Sequence, residues 1–277
     1  MSAVLAQDIQ DICMCDIVAS TNVAIIYSVW SCDVSGVPTS NVCNWEGVSC
    51  STADGVVVAL TLYYGHINGS LPDSIGSLSS LRSLYIFGNS FTGSLPDSMG
   101  SLSSLTSLDL HGNDFTGSLP DSIGSLSSLY YLDLGSNDFT GSLPDSIGSL
   151  SSLYYLDLYW NSFTGSLPDS IGSLSSLSSL YLHGNSFTGS LSDSIGSLSS
   201  LYYLYLGSNS FTGTLPSVWG LMPSLYILYA TNTSLSGTVS TTFCTHPSVY
   251  LLYVILLASQ TWLAVVGPIA GALLGQL

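Results

Sequence analysis

The side chains able to do chemistry recur at one fixed spacing. Asp109, Asp133 and Asp157 stand 24 residues apart, each between two leucines, as in Leu108-Asp109-Leu110-His111. Calcium would suit such a carboxylate column, because its ligands are oxygens. Like charges on neighbouring strands otherwise repel, and we read the three as hydrated carboxylates with raised pKa values; no metal is assigned. His111 and His183 fall three copies apart, roughly 15 Å at ~4.8 Å per strand, so they cannot share a proton or an ion. Gly88 to Gly93 is spaced like a phosphate loop but lacks the Lys-Ser/Thr that loop needs. The serines form columns without a paired base. No catalytic residue and no cofactor is assigned, and the chain is expected not to be an enzyme.

The repeat that carries these residues dominates the chain. Leu81, Leu105, Leu129, Leu153, Leu177, Leu201 and Leu225 follow one another at steps of 24, and one copy reads LYYLDLGSNDFTGSLPDSIGSLSS from Leu129 to Ser152. Alternation in Leu-Asp-Leu puts the leucines inward and the aspartate outward. Each copy therefore gives one short strand, and copies stack into a parallel sheet. The Asn column, Asn89 to Asn209, can bond backbone groups that the bend leaves unpaired. The Phe column, Phe91 to Phe211, and the following Leu-Pro fill the far side of the core. Asp97, Asp121, Asp145 and Asp169 follow proline and are placed to cap short helical turns. Degenerate copies begin at Val57, with Gly65 in the Asn slot, and at Leu225, with Thr233 there.

Composition narrows the function classes. The 277 residues include no lysine and one arginine, Arg82, with a formal charge of −16. Phosphate neutralisation needs Lys and Arg, so nucleic acid is excluded, as is electrostatic docking on anionic membranes. Charged residues are 6% of the chain, so Ser, Thr, Asn, Gly and Asp must keep it soluble. Five of the six cysteines lie in the first 50 residues and Cys244 closes the repeat region. That suits disulfide-stapled caps in an oxidising compartment. Val4-Leu5-Ala6 would suit a signal-peptidase site, but no apolar run with a basic start accompanies it. A plain N-terminal helix is the other reading of that segment.

The pattern LxxLxxLxLxxNxFTGxLPxxIGxLxx resembles the 24-residue, plant-type extracellular leucine-rich repeat. Cys43-Asn-Trp45-Glu-Gly47-Val-Ser-Cys50 resembles the N-terminal cap of that class, C-x-W-x-G-V-x-C. Together they span about residues 16–245. The Ser/Thr-rich, Tyr-rich, lysine-free character is similar to protist, especially kinetoplastid, leucine-rich-repeat surface antigens. The resemblance implies a Cys43–Cys50 disulfide, Trp45 packed over the first repeat, and extracellular recognition or display. The expected fold is α/β: a right-handed solenoid with a parallel β-sheet on its concave face and short 3-10 or helical turns on its convex side. The expected parts are a cysteine-containing cap at 1–56, repeats at 57–245, and a capping strand with an apolar tail at 246–277.

Outward strand positions define the concave face. The candidate ligand-binding residues are Tyr85, Phe87, Asp109, His111, Tyr131, Asp133, Tyr155, Asp157, Tyr159, Tyr181, His183, Tyr203, Tyr205 and Tyr229. Tyr offers large contact area at low entropy cost and suits binding to protein or stacked sugar. It also has high strand propensity and stacks with itself across a sheet. Asn68-Gly-Ser70 and Asn232-Thr-Ser234 are glycosylation acceptors. Near the end, Val249, Leu252 and Val254 should form a last strand. Residues 255–277 are apolar and uncharged, long enough to span a bilayer at ~1.5 Å per residue. Gly267, Gly271 and Gly275 have close-packing spacing, Pro268 interrupts them, and no basic residue follows. The tail is read as a membrane anchor, a removable anchor signal, or a cover for the solenoid end. We expect an extracellular or cell-surface glycoprotein acting as a display scaffold that joins head to tail into a fibril. The alternative is a membrane-anchored receptor or adhesin binding protein or carbohydrate on its Tyr/Asp face.

Overall fold

The computed structural model describes residues 3–23, 27, 29–244, 248–249, 251–255 and 262–266. Two compact units divide the chain, Met1–Phe139 and Thr140–Leu277. In both, the leucine spacing becomes strand register. In the first unit Ser83–Tyr85, Ser107–Asp109 and Tyr131–Asp133 pair in parallel, with Leu84, Leu108 and Leu132 in line. In the second, Tyr155–Asp157, Ser179–Tyr181, Tyr203–Tyr205, Ile227–Ala230 and Leu251–Ile255 do the same, with Leu156, Leu180, Leu204, Leu228 and Leu252 in line. All these leucines are fully buried. Each copy then turns through a 3-10 helix such as Asp97–Ser101 or Asp169–Ser173. The architecture is the expected solenoid of parallel strands and 3-10 turns.

The Phe column packs as ring on ring. Phe91, Phe115 and Phe139 stack with centroids 6.0 Å apart, and Phe163, Phe187 and Phe211 do so at 5.9 and 6.0 Å. The 3-10 turns approach still more closely. A Cβ on Gly76 would lie 2.3 Å from the Ser98 carbonyl oxygen, and on Gly172 2.4 Å from that of Ser194. Only glycine permits that spacing.

The Asn column does the work its spacing suggests. Asn113 accepts the Phe91 N–H at 3.0 Å and donates to the carbonyls of Ile86 and Leu110 at 2.9 and 3.0 Å. Asn209 repeats this with Phe187, Leu182 and Leu206. Each side chain thus satisfies its own bend and that of the preceding copy.

The Asp73–Asp193 column corrects one expectation. The N-cap residue of these turns is proline, in extended conformation, and no side-chain cap bond forms; Asp is the first residue inside the turn. There a carboxylate still meets the positive end of the backbone dipoles. Where Ser192 replaces proline, its Oγ does accept the Ser194 N–H at 3.1 Å.

In each unit the parallel strands are edged by an antiparallel one. Val48–Cys50 pairs with Val57–Thr61 in the first. The helix Ala3–Ser20 packs beside it, with Gln10 Oε1 accepting the Val57 N–H at 2.7 Å. The Cys43–Cys50 disulfide forms as the resemblance implies, and Cys15–Cys32 adds a second; Cys13 is buried and unpaired. Trp45 is buried, with its ring 5.0 Å from that of Trp30. In the second unit Leu251–Ile255 is followed by Trp262–Val266, which folds back against it. The start of the apolar tail is therefore a strand pair. No helix among the described residues is long and apolar enough to cross a membrane. Gly267, Pro268, Gly271 and Gly275 lie outside the described residues.

Asn113→Ala would leave one N–H and two carbonyls without these partners. At ~1–3 kcal/mol for a buried unsatisfied group, the expected loss is about 3 kcal/mol in urea unfolding. A loss under about 1 kcal/mol would show that water replaces the amide.

Candidate ligand-binding face

The outward strand positions are less open than alternation suggests. Tyr85, Phe87, His111, Tyr131, Tyr155, Tyr159, Tyr181, His183, Tyr203, Tyr205 and Tyr229 are all half-buried. Asp109, Asp133 and Asp157 are buried at 7, 6 and 5% exposure, which corrects their reading as hydrated groups. Neighbouring rings and hydroxyls cover them. Tyr131 Oη donates to Asp133 Oδ2 at 3.2 Å, and Tyr155 Oη to Asp157 Oδ2 at 3.0 Å. The other oxygen of each accepts a backbone N–H two residues on, from Gly135 and Tyr159. Burial raises the Asp133 pKa; the Gly135 N–H opposes that rise and the Asp109 charge adds to it.

In the first unit the face gathers around His111. Tyr63, Phe87 and His111 stack in file, at 5.5 and 4.8 Å between centroids. His111 Nδ1 lies 2.7 Å from Asp109 Oδ1 and 3.9 Å from Asp133 Oδ2. In the second unit the face is aromatic. Tyr159 stacks on His183 at 5.4 Å, His183 lies 5.9 Å from Tyr205, and Tyr205 stacks on Tyr229 at 5.7 Å. Tyr181, in register with Tyr205, lies 5.1 Å from it, and Tyr155 lies 5.5 Å from Tyr181. Tyr203 instead packs edge-on to Tyr202. Burial raises the pKa of Tyr181 and Tyr205, so both hydroxyls stay protonated donors at neutral pH.

Two further aromatic residues belong to this face and follow from neither alternation nor leucine spacing. Trp160 and Tyr64 are 67 and 69% exposed and hold left-handed backbone, φ 47 and 49. Their column otherwise holds Gly88, Gly112, Ser136, Gly184, Ser208 and Asn232, all with positive φ. A bulky ring is uncommon there. Each lies over the glycine of the next copy, so a Cβ on Gly184 would fall 2.5 Å from Trp160 Cδ1. The signal is visible in the sequence: an aromatic residue in a Gly/Ser/Asn column.

Known families match this geometry. The leucine-rich repeat region model matches residues 57–162, and the Leucine Rich Repeat model matches 152–174, 176–198 and 200–222. A solved complex of BIR3 and SERK2 from Arabidopsis thaliana includes a chain 30% identical, at TM-score 0.53, covering 63% of this chain and 92% of that one. The chain belongs to the leucine-rich-repeat family. The leucine-rich-repeat ectodomain of the Arabidopsis thaliana receptor kinase HAESA, solved with a peptide hormone, matches at TM-score 0.73 and 29% identity, over 87% of this chain and 40% of that one. The curated receptor-like protein kinase BRI1-like 3 of Arabidopsis thaliana is 50% identical over 50 residues, 18% of this chain and 4% of that protein. This leucine-rich-repeat chain thus spans a small part of that curated relative. These relatives are plant proteins and lend no support to the narrower likeness to protist antigens. Together with the disulfides, they suggest an extracellular or cell-surface location.

Two outcomes follow. Trp160→Gly should relieve left-handed strain and raise stability by about 1 kcal/mol in chemical denaturation, despite removing a ring; a loss of that size would show that packing on Gly184 outweighs strain. His183 titrates below its ordinary value of 6.5 because burial disfavours the charged ring. Folded protein then binds fewer protons at this site than unfolded protein, so stability falls as pH drops through about 6.5. His183→Phe should remove that part of the fall in Tm between about pH 7.5 and about pH 5; an unchanged slope would assign it elsewhere.

Proposed function

We propose that the chain is an extracellular recognition module that binds an extended peptide or protein segment along the outward face of its sheet. The observation that carries this reading is the aromatic file Tyr159, His183, Tyr205 and Tyr229, flanked by exposed Trp160 in strained backbone. Strain held at an exposed indole is more readily explained by contact with a ligand than by folding. Stacked, half-buried rings are already ordered, so little entropy is lost when a ligand lands on them. The HAESA ectodomain, solved with a peptide hormone, gives the reading a precedent within the family. Binding, not catalysis, is what such a face offers.

The display-fibril reading has less behind it. Head-to-tail joining needs open sheet edges and exposed core at the ends. Here the first parallel strand pairs with Val48–Cys50 and Leu251–Ile255 with Trp262–Val266, so a joint would have to form on these short antiparallel strands. Glycans at Asn68 and Asn232 fit the same extracellular reading, since both side chains are exposed. Asn68 lies outside the aromatic file, whereas Asn232 shares the column of Trp160.

Selection from a displayed random-peptide library tests the proposal, using the full chain beside a Tyr205→Ser, Tyr229→Ser variant. Peptides enriched on the parent chain and weakened at least about tenfold on the folded variant, or about 1.4 kcal/mol, are expected. No enrichment, or equal binding to both, would overturn it. Binding confined to a glycan array would replace the peptide with carbohydrate.

A further inference from the structure

Two neighbouring copies of the strand bring Asp, His and Asp together at one place. Asp109 and His111 come from one copy and Asp133 from the next. One donor atom from each, Asp109 Oδ, His111 Nδ1 and Asp133 Oδ, lies within 4.8 Å of the other two. The imidazole is half-buried and both carboxylates are buried. Other copies lack this set: the matching pairs are Tyr85 with Phe87, Asp157 with Tyr159, Tyr181 with His183, and Tyr205 with Gly207.

Charge makes the arrangement costly as it stands. Two carboxylates removed from water and set side by side need a positive partner. The chain has no lysine, and among the described residues the ion pairs at this site involve His111 alone. The donors are also held in place. Phe87 stacks on the imidazole at 10° between planes, itself backed by Tyr63. The Gly135 N–H fixes Asp133 Oδ1 and Tyr131 Oη steadies Oδ2; the His111 N–H at 3.2 Å steadies Asp109 Oδ1. Ligands locked by such neighbours are what a metal site requires.

We propose that Asp109, His111 and Asp133 bind a divalent transition-metal ion of the zinc class. Calcium prefers six to eight oxygens, whereas one imidazole nitrogen and two carboxylates suit zinc, at about 2.0–2.2 Å to each donor. The donor separations of 2.7 and 3.9 Å bracket the roughly 3.3 Å between neighbouring ligands of one tetrahedral ion at that distance. To ligate, His111 Nδ1 must carry a lone pair, with the ring proton at Nε2. A neutral ring protonated at Nδ1 changes tautomer on binding, whereas an imidazolium releases one proton to solvent. Three protein donors leave a coordination position for water or for an incoming oxygen donor. This ion site does not depend on what the aromatic file of the second unit binds.

The test uses untagged full chain freed of metal by chelator, titrated calorimetrically with zinc chloride. One equivalent should bind. Cobalt(II) should give visible absorption that zinc removes, and one of the four histidines should shift its ring resonances. His111→Gln and Asp133→Asn should each weaken binding by roughly 100-fold or more, beyond the losses that supporting residues alone cause. No uptake at micromolar zinc would overturn the proposal. So would equal binding to the folded variants, or displacement of zinc by equimolar calcium. Should a variant fail to fold, an unshifted histidine spectrum in the unaltered chain overturns it alone.

Discussion

A chain that turns back on itself every 24 residues must bury its bends without leaving backbone groups unpaired. The amide of the Asn column meets that demand. Its oxygen takes an N–H from the preceding copy, and its nitrogen reaches carbonyls on both copies, as Asn113 and Asn209 show. Because each amide bridges two copies, the bend of one cannot form well without the next. Stability then belongs to the stack rather than to any copy. The Phe rings at 6.0 Å and the glycine-to-carbonyl approaches in the 3-10 turns need the same register, which the Asn amide holds. Where the column fails at Thr233, the hydroxyl reaches only its own Ala230 carbonyl. That copy comes just before the capping helix Thr241–Cys244.

With the bend secured, the outward strand positions are free to vary. They hold two kinds of chemistry. One unit gathers carboxylates and imidazole around His111, and the other gathers tyrosines around His183. The same two positions of the repeat supply both. The difference lies in which residue the next copy places alongside, since sheet neighbours in register touch directly. Asp109 meets Asp133, whereas Tyr181 meets Tyr205.

Much of this was legible in the residues. Leucine spacing gave strand register, and the Asn and Phe columns gave the core and its bends. Cys43 and Cys50 paired as the family resemblance implied. The misses have physical causes. Alternation tells which way Asp133 points but not that Tyr131 and its neighbours close over it. The Asp column of the 3-10 turns resembled caps, but the preceding proline takes the cap position and the carboxylate falls one residue inside. Hydropathy does not separate a strand from a membrane span, so Trp262–Val266 fell within a tail for which anchor, anchor signal and end cover all stayed open. Trp160 escaped because backbone handedness, not burial, marks its column.

The shared register bears on how such a chain changes over generations. Within the second unit, the faces that Leu156, Leu180 and Leu204 present to their neighbours are nearly the same surface. Excising or duplicating one whole copy would rejoin matching surfaces, with Asn again bridging Asn and Phe again meeting Phe. Length is therefore a nearly neutral coordinate for this architecture. Recombination between near-identical copies would reshuffle which aromatic or acidic residues become neighbours, while the framework beneath stays folded. New binding faces could arise by rearrangement, without a single substitution.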